Sequence, residues 1–194
     1  MNTDVEQIER KTDGYYIGSA GPFDKVVYTG DLRRLKKILS SNEVSHQLSD
    51  HLATLTSNGT SNIFCETDPG DISWLYLPDG TTRAHRIIYT GTFAPSNNRG
   101  SQRHTCVVEF SGDYSYDFMC EEIKKLPGNL NPLGWNQEPN SYILHSPETK
   151  ALVDEARLKL KGDNIYLLGR FAEWEYYNMD KAIEAAMQLN KELA

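Results

Sequence analysis

The chain has 194 residues, a formal net charge of −7, and 39% hydrophobic against 24% charged residues, enough to bury one substantial core. No apolar run approaches the roughly 20 residues that cross a bilayer, so no membrane span is expected, and the acidic balance argues against general nucleic-acid binding, which needs a basic face. The start, "MNTDVEQIERKTDG", is polar and acidic where a secretory signal is basic and then apolar, so a cytoplasmic protein is expected.

From the start, "VEQIERKTDGYYIG" reads as two strands joined at Asp13-Gly14, and "FDKVVYTG" as a third, buried strand closed by Gly30. "DLRRLKKILSSNEVSHQLSDHL" places Leu32, Leu35 and Leu39 at helical spacing behind Asp31 as N-cap, with Ser40 and Ser41 ending the regular part. "ATLTSNGTSNIFCET", "SWLYLP", "TTRAHRIIYTG" and "RHTCVVEFSG" are apolar and β-branched, separated by Asn-Gly, Asp-Gly and Pro signals. They predict an antiparallel sheet from about Ala53 to Phe110. "DFMCEEIKKL" predicts a short helix, "PGNLNPLGWNQEPN" a loop and "SYILHS" a strand. "SPETKALVDEARLKL" predicts a helix that opens on Ser146 as cap, Pro147 in the first turn and the acid Glu148. "DNIYLLGR" follows as a buried strand and "NMDKAIEAAMQLNKEL" as a final helix with Asn178 as its N-cap.

Few residues carry a recognisable autonomous chemistry. Cys65, Cys106 and Cys120 form no CxxC and pair with no histidine motif, so they read as structural thiols. The histidines at 46, 51, 85, 104 and 145 have no metal-ligand spacing, and no metal is implied. The chain lacks GxSxG, P-loop and GxGxxG motifs. What stands out is the corner "LLGRFAEWEYYNMD", where a strand ends in Gly169-Arg170 and turns through aromatic residues into a helix. A helix start offers unpaired N–H groups and partial positive charge, and an arginine fork beside it can grip a diphosphate. The same residues also suit a surface turn with a salt bridge and a packed aromatic corner.

Five segments in this order, "FDKVVYTGDL", "SWLYLPDGTTRAHRIIYTGTFAPSN", "CVVEFS", "NSYILHS" and "IYLLGRFAEWEYYNMDKAIEAA", resemble the C-terminal half of UDP-galactopyranose mutase and its relatives among the amine-oxidase-like flavoproteins. The sharpest pieces are "WLYLP", with Arg86 ten residues after its tyrosine, and "GRFAEWEYYNMD". The resemblance implies a flavin-dependent nucleotide-sugar mutase that interconverts pyranose and furanose forms through an adduct at N5 of reduced FAD. In such an enzyme the reactive centre belongs to the cofactor and the protein supplies a diphosphate cradle and a wall, so no residue of the chain itself is expected to be catalytic. On that resemblance Tyr76 and Arg86 contact the diphosphate, Tyr142 and Tyr176 line the pocket, and Arg170 stands between flavin and substrate. Gly169, Asn178, Met179 and Asp180 face the flavin, with Asn178 standing where many bacterial members have Asp.

The family's N-terminal GxGxxG unit and its uridine-binding helical region are not in this sequence. The resemblance therefore implies a piece that works with a complementary FAD-binding half or as a homo-oligomer, with FAD not held by this chain alone. An amine-oxidase-like oxidoreductase fragment and a non-catalytic binding domain are the alternatives. The expected fold is α+β: a mainly antiparallel substrate sheet plus the C-terminal strand and helix of an incomplete FAD-binding layer. The expected divisions are 1–30 for a meander and return strand of that layer, 31–145 for the substrate sheet, and 146–194 for the closing helix-strand-helix.

Overall fold

A computed structural model describes residues 4–39 and 46–194. In chain order its elements are β1 (Glu9–Lys11), β2 (Gly14–Ile17), β3 (Ala20–Phe23), β4 (Val26–Tyr28), a 3-10 turn (Leu32–Arg34), α1 (Leu35–Ile38), α2 (His46–Leu52), β5 (Ser57–Thr67), β6 (Trp74–Tyr76) and β7 (Ala84–Ile88). They continue with α3 (Thr90–Phe93), a second 3-10 turn (Pro95–Asn98), β8 (His104–Ser111), α4 (Tyr116–Ile123), β9 (Asn131–Ile143), α5 (Pro147–Gly162), β10 (Ile165–Leu167) and α6 (Met179–Leu193). The elements gather into two compact units, Met1–Thr56 with Ile143–Ala194, and Ser57–Tyr142.

In the first unit the antiparallel ribbon β1-β2-β3 precedes a parallel pair of β4 and β10, in register from Val26 opposite Ile165 to Tyr28 opposite Leu167. Leu32, Leu35, Leu48 and Leu52 from the helical segment share one buried cluster with Val153, Ala156 and Leu160 of α5 and with Ile165 of β10. Residues 31–39 and 46–56 therefore pack with the chain's closing segment, because their leucines meet the apolar face of α5. Asp31 caps as expected, accepting from the Arg33 backbone N–H at 3.0 Å. The helix behind it is shorter than the leucine spacing suggests, ending at Ile38, and the expected stop at Ser40 and Ser41 lies outside the described residues. The Ser146 cap forms a full capping box with Thr149, each side chain reaching the other's backbone. Helix α6 buries no residue: Met179, Ile183 and Met187 form an exposed stripe at helical spacing.

In the second unit five strands pair in the order β6-β7-β8-β5-β9. One face, with Ile63, Cys65, Ile87, Cys106, Val108 and Phe110, packs on Met119 and Ile123 of α4. Each fully buried side chain of this kind contributes about 1.5–3 kcal/mol. Ser115 caps α4, and Glu122 pins that helix to the start of β7 by accepting from Thr82 Oγ1 at 3.0 Å and the Arg83 N–H at 2.7 Å. Cys65 and Cys106 stand opposite one another as buried thiols; their mutual hydrogen bond and burial push the Cys65 thiol up. Among the described residues no group of histidine, cysteine and acidic side chains could hold a metal ion, and no helix is long and apolar enough to cross a membrane.

Several expectations need correction. The first hairpin turns at Thr12 and Asp13, with Lys11 paired to Gly14. Phe23 and Val26–Tyr28 belong to two different strands, β3 and β4. Asn58-Gly59 is no break but lies inside β5, where a Cβ on Gly59 would stand 2.9 Å from the Glu138 carbonyl oxygen. The glycine is there for close strand approach. The expected loop "PGNLNPLGWNQEPN" is mostly β9, an edge strand that runs on into the "SYI" of the next expected strand. An edge position tolerates Pro132 and Pro139 because one row of backbone groups needs no ladder partner.

Candidate functional site

Strand alternation sends one face of the second unit's sheet into the core and leaves the other open. On the open face the register aligns Tyr76, Arg86, Glu109 and Asn62 in one cross-strand row. A bulge between Ala84 and Arg86 breaks strict alternation in β7, so both His85 and Arg86 reach the same carboxylate. His85 Nε2 and Arg86 Nη2 lie 2.9 and 2.7 Å from Glu109 Oε1. Arg86 Nη2 also donates to the Tyr142 hydroxyl at 2.6 Å, and that hydroxyl donates to Glu109 at 3.3 Å. Tyr76 stands opposite Arg86 in the strand register, and the guanidinium lies 4.9 Å from the centre of the Trp74 ring.

The cluster is well sheltered: the Arg86 and Glu109 side chains are 16% and 10% exposed. Burial pushes the Glu109 carboxyl up, but hydrogen bonds from His85 and Arg86, and then their charges, outweigh it and hold the group below its ordinary value. Burial likewise pulls the Arg86 guanidinium down, and Glu109 more than restores it. The result is a fixed arginine with the Tyr142 hydroxyl beside it, a geometry suited to holding an oxyanion that settles on the open face.

The first unit holds the Gly169-Arg170 corner. Gly169 has φ +96°, its N–H donates to Glu173 Oε2 at 2.9 Å, and a Cβ there would meet nothing within 4 Å. Its backbone thus faces open space beside the arginine. The Arg170 guanidinium stacks 4.5 Å from the centre of the Tyr176 ring. Behind it Trp174 is buried in the left-handed region at φ 52°, edge-on to Phe171 and covered by Arg33 at 5.2 Å. That conformation costs an aromatic residue strain, which its full burial offsets. Asn178 occupies the N-cap position of α6 in extended geometry (φ −84°, ψ 174°), but its side chain makes no cap hydrogen bond. Met179 is exposed and Asp180 lies in the first turn.

The structure thus brings Tyr76, Arg86 and Tyr142 together in one unit and Arg170 with Tyr176 in the other. The sequence reading missed His85, Glu109 and Trp74. The available signal was Glu109 itself, an acid inside the apolar run "CVVEFS".

No protein-family model and no curated protein sequence matches the chain. Solved structures do. Reduced UDP-galactopyranose mutase aligns over 89% of this chain and 41% of its own, at TM-score 0.71 and 15% identity. A protein from Exiguobacterium sp., provisionally named a protoporphyrinogen oxidase, aligns over 96% of this chain and 45% of its own, at TM-score 0.68 and 13% identity. An oxidoreductase from Methanosarcina mazei aligns over 87% and 44%, at TM-score 0.62 and 11% identity. The chain has the fold of the corresponding part of these proteins, and it spans less than half of their length.

Proposed function

We propose that this chain is the substrate-sheet portion of a flavin-dependent enzyme, and that it acts as a nucleotide-sugar mutase of the UDP-galactopyranose mutase kind. The observation that carries the reading is Arg86, fixed by Glu109 and Tyr142 and opposite Tyr76 on an open sheet face in a chain of this fold. Arg86 would bind the substrate's diphosphate, with Tyr76 and Tyr142 donating beside it. Arg170 and Tyr176 would serve the same reaction from the first unit.

The corner fits the flavin end of FAD: Gly169 leaves room for a flat ring, and Asn178, Met179 and Asp180 would meet the cofactor at the start of α6. When bound, FAD would supply the reactive centre. Arg86 and Arg170 would orient the substrate and hold charge at the leaving phosphate. The chain contains no GxGxxG loop for the adenosine end, so a complementary FAD-binding half is the expected partner. The exposed stripe of Met179, Ile183 and Met187 and the exposed Val27 support that need. A homo-oligomer is the other way to cover them.

One observation favours a second reading, an amine-oxidase-like oxidoreductase: the row next to Arg86 on the open face, formed by Trp74, Ile88, Val107 and Phe64, is apolar. Co-expression with a GxGxxG-bearing flavoprotein half tests both. The expected product is a yellow complex that, once reduced, interconverts UDP-galactopyranose and UDP-galactofuranose. Arg86→Ala or Arg170→Ala should cost about 2–4 kcal/mol in transition-state stabilisation. A yellow complex whose alanine variants keep full turnover refutes the assigned arginine roles, and one inert toward nucleotide sugars but active as an oxidase selects the second reading. A chain that binds ligand yet supports neither reaction is a non-catalytic binding domain.

A further inference from the structure

Strand β9, 13 residues long, forms one margin of the five-stranded sheet, and among the described residues no strand pairs with its outer side. The opposite margin is β6, only three residues long, and a short edge is protected by its shortness. Strand β9 lacks that protection. From Asn131 to Gln137 it carries no charge, and Leu133 and Trp135 are 59% and 45% exposed. Trp135 stacks on Tyr116 of α4, ring centres 6.1 Å apart, and Gln137 donates to the Tyr114 carbonyl at 2.9 Å. The odd-numbered residues of this run therefore lie on the α4 side, where Phe118 extends the apolar surface. Gly134 lies on the other side, where an added Cβ would stand 4.0 Å from the Phe64 ring.

We infer that β9 is an interaction edge that pairs antiparallel with β9 of a second copy of this chain, centred on Gly134. Residues directly opposite in an antiparallel pair share a face, so two identical strands pair about a two-fold axis only where one residue faces itself. With Gly134 at that point, the uncharged run from Asn131 to Gln137 overlaps itself from end to end. Each Leu133 then stands opposite Trp135 of the other copy on the α4 side, an apolar cross-strand pair made twice. Charge also selects a second copy over an acidic or basic partner. The chain carries a net charge of −7, so two copies repel over most of their surface. This run brings no acid opposite another: Glu138, just beyond it, would face Leu130 of the other copy. The pairing joins two sheets into one of ten strands and satisfies the outer backbone groups of β9. It uses no residue of α6 or of the Gly169-Arg170 corner, so it goes beyond the proposed function and does not depend on it.

Analytical ultracentrifugation of the full chain over a wide concentration range tests the inference. The expected result is a reversible equilibrium between monomer and dimer with no larger species, because a two-fold contact closes on itself. Leu133→Glu, at an exposed position that tolerates any side chain, sets a carboxylate against the Trp135 ring of the other copy and should weaken the dimer at least about tenfold. Ile183→Ser on α6 should leave it unchanged. Gly134→Cys keeps both Leu133 and Trp135, and the added side chain meets only Phe64. Treated with oxidised glutathione, two Gly134→Cys copies should exchange into one disulfide and release two reduced glutathiones, giving a linked dimer on a non-reducing gel. The parent chain, with Cys65 and Cys106 buried and Cys120 partly so, should stay unlinked. A chain that is monomeric at every concentration, or a dimer that Leu133→Glu leaves intact, overturns the inference. Linking through Trp135→Cys in place of Gly134→Cys overturns the pairing stated, and a dimer lost in Ile183→Ser but kept in Leu133→Glu assigns the contact to α6 instead.

Discussion

Glu109→Gln is the perturbation that most directly probes the Arg86 cluster. The substitution keeps size and one carbonyl acceptor but removes the charge that faces His85 and Arg86 at 2.9 and 2.7 Å. With both members of the Arg86–Glu109 pair mostly shielded from water, the case lies nearer a buried than a surface pair. Breaking a buried pair costs about 3–5 kcal/mol, and exposed pairs are worth less than about 1. The retained amide oxygen and the partial exposure of His85 place the expected loss at about 2–3 kcal/mol. For a unit of this size that corresponds to a fall of roughly 8–20 °C in Tm, read by circular dichroism and checked by urea unfolding. The pH dependence carries a definite sign. Because the folded carboxyl titrates below its ordinary value, its contribution is present above the unfolded-state pKa and disappears as pH falls through the folded one. The gap between wild type and Glu109→Gln should therefore be full near neutrality and close in acid. A loss under about 0.5 kcal/mol at neutral pH, or a gap that widens in acid, would refute the claim that this carboxylate holds Arg86.

Three further outcomes are expected. Ser146→Ala removes half of the capping box of α5 and should cost about 1 kcal/mol, seen as a shifted urea midpoint with unchanged m. Gly169→Ala meets no neighbouring atom, so its cost is that of the backbone at φ +96°, about 1–2 kcal/mol by thermal unfolding; a neutral result would mean the corner relaxes. The chain purified by itself should show no flavin absorbance, because it has no GxGxxG loop to hold the adenosine half; stoichiometric flavin absorbance would reveal a cofactor site built another way.

What the sequence made legible was local. The Ser146 cap, the short helix after Ser115 and the strand before Gly169 each depend on neighbours a few residues apart, and each is where the sequence reading placed it. Strand β9 was not legible, since its Pro, Gly and Asn residues carry loop chemistry and only its edge position lets them extend. The approach of His85 and Arg86 to Glu109 depends on a bulge in a pairing whose partners lie more than twenty residues apart, and no short-range signal specifies that. The run "NIFCET" shows the same limit from the other side. Its apolar residues read as part of an antiparallel sheet with no face assigned to each, and the two-residue period sends Ile63 and Cys65 inward and turns Phe64 out, 38% exposed, opposite Val107. The core is complete without Phe64 and Val107. Their exposure follows from the face that the pairing register gives them, which residue type alone does not report.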